Sequence, residues 1–89
     1  MPQKKTTVVL RISGQQCRAG RAWCQLESRD LAALIGCDRD TISRFENNAD
    51  YQIRPKKEKA IRLALEARGV RFLFSPMGEP LGIEGGPTS

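Results

Sequence analysis

The chain has 89 residues, with 15 Lys and Arg against 10 Asp and Glu, a net charge of +5, and no histidine. That length suits one small domain rather than two, and the basic balance places a positive surface somewhere on it. Without histidine the commonest general base, the commonest metal ligand and any Ser-His or Cys-His nucleophile pair are absent. No phosphate-cradling glycine loop or metal-ligand spacing replaces them, so neither an enzyme nor a cofactor is expected.

Hydrophobic residues make up 39% of the chain and aromatic ones 6%, enough for one modest core. A domain this small is marginal alone, which makes a homodimer the expected state. No apolar run approaches the ~20 residues of a membrane span, and Met1 to Thr7 lack a signal-peptide core. The expected protein is soluble and cytoplasmic, with no membrane partner. Cys17, Cys24 and Cys37 are odd in number and form no C-x-x-C pair. They read as reduced thiols that pack as small apolar side chains.

Thr6 to Ile12 is β-branched and apolar and predicts a short strand ending at Ser13-Gly14. Ser13-x-x-Gln16 matches a capping box and opens a helix over about 15–25, with Cys17, Ala19 or Gly20, Trp23 and Cys24 on its inner side. Leu31, Ala32, Leu34 and Ile35 form the stripe of a second helix, about 28–35, stopped by Gly36. Asp38 is a good N-cap for a third helix over 38–46, with Ile42 and Phe45 inward, and 47–50 breaks it. Pro55 suits the first turn of a fourth helix whose stripe is Ala60, Ile61, Ala64 and Leu65, ended by Gly69. Val70 to Phe74 predicts a strand with one aromatic face, and Leu81 to Ile83 a weaker one. The expected division is a domain over 1–75 and a flexible Gly/Pro-rich tail over 76–89.

Two short helices joined by a turn at Gly36 describe a helix-turn-helix. Its second helix has to stand clear of the scaffold to enter a DNA major groove ~12 Å wide, braced by the first. Ala32 allows close helix approach, and Gly36 permits the turn. Arg39, Asp40, Ser43 and Arg44 are the outward positions that would read bases. Arg suits guanine O6 and N7, Asp can accept from cytosine N4, and Ser is permissive.

The run S-R-D-L-A-A-L-I-G-C-D-R-D-T-I-S-R-F-E, Ser28 to Glu46, closely resembles the helix-turn-helix of Cro/repressor-type (Xre-family) DNA-binding proteins. The resemblance extends over roughly Ser13 to Phe74, through Q-C-R-A-G-R-A before it and A-I-R-L-A-L-E-A-R-G-V-R-F after it, and points to a short bacterial or phage member. It implies a mainly α, lambda-repressor-like bundle of four to five helices, here with short N- and C-terminal strands, and dimers on two-fold operators. Carried over by position, it puts Arg39, Asp40, Ser43 and Arg44 at base edges, Thr41 at a phosphate or base, and Ser28 at a backbone phosphate. Glu27 and Ser28 stand where the family commonly has a Ser/Thr-Gln pair.

The segment Ser28 to Glu46 carries three bases and four acids. Positive charge gathers instead in Lys4, Lys5, Arg11, Arg18 and Arg21, and in 52–62, which holds five bases and one acid. In the resembled family the start of the fourth helix lies against DNA, so Arg54, Lys56, Lys57 and Lys59 are the candidate phosphate clamp, and Lys4 and Lys5 a candidate arm. Each has a plainer alternative: a basic run is usually a solvated face, Trp23 is core by its register, and Arg44 can pair with Glu46 or Asp40. If Val8 to Ile12 pairs with Val70 to Phe74, the edge of that sheet can join a second subunit. The leading expectation is a sequence-specific regulator of transcription, a repressor or autoregulator. The alternative is an interaction module, an antitoxin or antiactivator, binding a regulatory protein partner.

Overall fold

Ser13 opens the first helix with a reciprocal cap. Its hydroxyl accepts from the Gln16 N–H at 3.0 Å, while the Gln16 side chain accepts from the Ser13 N–H at 3.0 Å, satisfying two donors that a helix start leaves open. The computed structural model describes residues 10–86. Their order is α1 (Gly14–Trp23), α2 (Ser28–Ile35), α3 (Arg39–Asn47), α4 (Pro55–Glu66), β1 (Val70–Phe74) and β2 (Pro80–Gly85). The protein is mainly α, with four helices and one two-stranded antiparallel sheet among the described residues.

The helix ends follow local chemistry. α1 stops two residues before the expected Gln25, because Gln25 itself turns left-handed at φ 60° and lets the Leu26 N–H reach back to the Arg21 carbonyl at 2.9 Å. α2 ends at Gly36, whose φ of 74° is costly for a residue with a Cβ. Pro55 starts α4 at a position whose N–H would have no helical partner.

α2 packs on α3 and α4, while α1 packs on α3, α4 and both strands. Leu31, Ile42, Ile61, Leu65 and Cys17 fill the centre and are fully buried. Burial of a Leu or Ile side chain contributes ~1.5–3 kcal/mol, so these few residues supply much of the drive to fold. Phe72 is buried and Phe74 half-buried, with Arg71 and Leu73 on the other face of β1, as the alternation predicts.

Three expectations are corrected. Of the predicted strand Thr6 to Ile12, residues 6–9 lie outside the described residues, and 10–12 form no strand. The Ile12 N–H donates instead to the buried Glu58 carboxylate at 2.9 Å. The partner of β1 is β2, in the register Val70 to Gly85 and Phe72 to Ile83. The folded unit thus runs past 75 into the segment expected to be a tail. Trp23 is 45% exposed rather than core; its indole lies over Gly85 of β2, where an added Cβ would come 2.1 Å from Nε1. Ala19 is exposed and Gly20 buried, so the inner side of α1 runs through Gln16, Cys17 and Gly20. Gln16 also ties the hairpin down, its Nε2 donating to the Leu73 carbonyl at 2.9 Å and the Gly82 carbonyl at 2.8 Å.

Candidate nucleic-acid interface

The inner sides of α2 and α3 meet through Leu31, Ala32 and Ile42, all buried. The opposite side of α3 is thereby turned outward. Arg39, Asp40 and Arg44 are exposed there, and Ser43 and Thr41 are half-buried. Arg39 with Ser43, and Asp40 with Arg44, stand four residues apart in adjoining rows along the helix. Asp38 occupies the N-cap position of α3, yet its side chain makes no cap hydrogen bond; its carbonyl takes the Thr41 N–H at 3.0 Å. With Asp38 at the expected N-cap position, α3 runs from Arg39 and ends one residue later than expected, at Asn47.

Ion pairing sorts the basic residues into two sets. Pairs among the described residues engage Arg11, Arg18, Arg21, Arg29, Arg62 and Arg71. None engages Arg39, Arg44, Arg54, Lys56, Lys57 or Lys59. Arg44 pairs with neither Glu46 nor Asp40, because Glu46 faces the other way. The Glu46 side chain is 2% exposed, and Arg21 meets it with two bonds, Nη2 to Oε1 at 2.6 Å and Nε to Oε2 at 2.9 Å. Such a fork is the strong form of a charged hydrogen bond. It pushes the Arg21 guanidinium still higher than an arginine's ordinary range.

The Cys17 thiol donates to Glu46 Oε2 at 3.1 Å, completing this junction between α1 and α3. Burial, and then the Glu46 charge, push that thiol far up. Cys24 and Cys37 are also free, half-buried and raised, chiefly by burial. Arg18 reaches Asn47, whose Nδ2 donates to the Ser43 carbonyl at 2.9 Å and its hydroxyl at 3.4 Å. Of the four base-reading candidates, Ser43 alone is held by a side chain among the described residues.

The remaining candidates fall in two places. Ser28, at the start of α2, lines a polar hollow of about 350 Å³ with Arg21, Glu27, Arg29 and Arg39. This brings Ser28 beside the first residue of α3. Arg54 is the exposed N-cap of α4, and Lys56 and Lys59 are exposed. Lys57 lies near enough to Cys37 for its charge to pull that thiol down against burial, so it borders the α2–α3 turn. Lys59, about 200° round the helix from Lys57, lines a different hollow with Leu10, Arg11 and Arg62. The four cations expected to act together are thus divided between two sides of α4. Lys4 and Lys5 lie outside the described residues.

Two residues at this surface escaped the sequence. Asn47 looks like a helix breaker but closes α3 and holds Arg18. Glu46 looks like a partner for Arg44 but belongs to Arg21, a contact 25 residues distant that no local pattern signals. No group of three or more His, Cys, Asp or Glu side chains converges to hold a metal among the described residues. None of their helices is long and apolar enough to cross a membrane. No protein-family model matches the chain, and no curated protein matches it.

Proposed function

We propose that the protein is a sequence-specific DNA-binding regulator of transcription, a repressor or autoregulator, and that its bundle is of the lambda-repressor-like kind. α3 enters the major groove, with Arg39 and Arg44 as the leading base readers and Asp40 and Ser43 beside them. Ser28 and Thr41 face phosphate, as do Arg54, Lys56 and Lys57 along the α4 start. The observation that carries this function is the outward side of α3, where Arg39, Asp40 and Arg44 are exposed and no ion pair of the described residues engages them. Exposed arginines braced by a second helix across a left-handed glycine supply what groove entry requires. Lys59 supports the function less, since it lines the hollow beside Arg11. No catalytic group is needed.

One feature favours a second function, an antitoxin or antiactivator that binds a protein. Asp38 and Asp40 are both exposed at the front of α3, where they repel phosphate while suiting a basic partner.

Fluorescence anisotropy on duplex from upstream of the protein's own gene, and on random duplex, separates the two. A dimer making roughly 6–8 phosphate contacts gives a slope of log K against log[salt] near −5 to −7. Binding to the upstream duplex that outlasts the random one as salt rises supports the regulator. Arg39→Ala should then lose ~1–3 kcal/mol on the cognate duplex and much less on random DNA. Equal, salt-fragile binding to both duplexes favours the protein-binding function.

A further inference from the structure

Among the described residues, β2 has one edge with no strand paired to it. The Gly86 N–H donates to the Gly69 carbonyl at 2.9 Å, which makes this directly opposed pair a hydrogen-bonded one. Bonded and non-bonded pairs alternate along an antiparallel ladder, so Arg71 with Glu84 and Leu73 with Gly82 are bonded pairs. The N–H and C=O groups of Gly85 and Ile83 then point away from β1, and Leu81, the extra residue of a bulge where Phe74 pairs with Pro80, has no partner on β1. β1 lies along both α1 and α4, with Arg62 over the Phe74 ring at 5.4 Å. β2 also packs on α1, and its first residues border an open hollow of about 500 Å³ with Gln15 and Ala19 on the outer side of α1.

We propose that β2 pairs with β2 of a second copy, antiparallel about a two-fold axis at Ile83, joining two hairpins into one four-stranded sheet. This register engages the outward groups of Ile83 and Gly85 together with those of Leu81, which β1 leaves unpaired. It sets Leu81, 65% exposed, opposite Gly85 of the second copy, directly beneath that copy's Trp23, itself 45% exposed. Leu81 and Trp23, both left open in one subunit, are covered by the other. The charges fit as well: Glu84 comes opposite Gly82 of the second copy and keeps its own Arg71 at 3.3 Å. Shifting the axis by one residue to 84 would oppose Glu84 to Glu84, which cross-strand pairing disfavours. Pro80 fits an edge strand, since it has no N–H to donate.

The inference stands apart from the DNA-binding function and is tested without DNA. Sedimentation equilibrium of the full chain, with Gly82→Lys and Gly82→Glu, measures it. A Cβ at Gly82 meets nothing within 4 Å, so both variants fold as the parent does, which circular dichroism checks. The parent is expected to dimerise at micromolar concentration. Gly82→Lys places a cation opposite Glu84 of the second copy and tightens the dimer. Gly82→Glu places like charges opposite and loosens it, the two dissociation constants differing by ~3- to 30-fold. The emission of Trp23, the one tryptophan, shifts to the blue as the dimer forms, and Leu81→Lys removes the shift. A parent that stays monomeric at hundreds of micromolar, or variants with the same dissociation constant, overturns the proposal.

Discussion

The arginines of α1 and the cations around α3 and the start of α4 are the same chemistry in two settings. Arg18 and Arg21 turn towards Glu46 and tie α1 to α3. Arg39, Arg44, Arg54, Lys56, Lys57 and Lys59 are engaged by no ion pair of the described residues. Net charge alone does not distinguish them. A buried carboxylate decides: once Glu46 is taken out of water it needs a partner, and the nearest arginines are drawn in. The cations that neither buried acid engages, Glu46 on α3 or Glu58 on α4, stay available to an external anion.

The largest test of this contrast is Arg21→Ala. It leaves a carboxylate with 2% exposure without its fork, and the expected loss of folding stability is ~3–5 kcal/mol, read by urea denaturation. A loss under ~1 kcal/mol would make the junction an ordinary surface pair.

A smaller effect comes from pH. Cys17 is raised above its ordinary value of 9.0 by burial and then by Glu46. The folded state therefore holds the proton more tightly than the unfolded chain. Its contribution is complete below pH 9 and is lost as the unfolded thiol ionises above it, at about 1.4 kcal/mol per pH unit. Cys24 and Cys37, raised in the same direction, add to the slope. Denaturation at several alkaline pH values should show this decline, and Cys17→Ala should flatten the part due to Cys17.

The smallest effect on stability is expected from the outward set. Lys56→Ala should change folding stability by no more than ~0.5 kcal/mol. It should weaken binding to every duplex alike and, by removing one phosphate contact from each subunit of a dimer, reduce the salt slope by about two. Unchanged binding would remove Lys56 from the clamp.

How far the fold was legible depended on the range of the contacts. The Ser13 cap, the stop at Gly36, Pro55 at the start of α4 and the inward Leu31, Ala32 and Ile42 are settled within a few residues, and each was readable; Leu34, read into the same stripe as Leu31 and Ala32, is instead 47% exposed. The outward positions of α3 follow from the same periodicity, so Arg39, Asp40 and Arg44 could be named as exposed without a structure. Gly14 shows the limit. In the chain it marks the end of a strand-like run, but in the fold it is where α1 touches α3, and an added Cβ would come 2.1 Å from the Phe45 carbonyl oxygen. Trp23 has the spacing of a core residue and is half uncovered, because β2 reaches it only with a glycine. The apolar run ending at Ile12 resembles a strand, yet Glu58 on α4 takes the Ile12 N–H, 46 residues away.

By itself the sequence determined where helices start and stop, which of their sides are apolar, and that a helix-turn-helix spacing with an outward basic and acidic set lies between 28 and 46. Those features depend on backbone conformation and on periodicity, both of which act over one or two turns. Only the tertiary structure decided which strands pair, which arginines are consumed by Glu46, and how the cations of α4 divide between two sides. Each of those outcomes is a competition among distant partners for one buried charge or one strand edge, and it is resolved only when the helices meet.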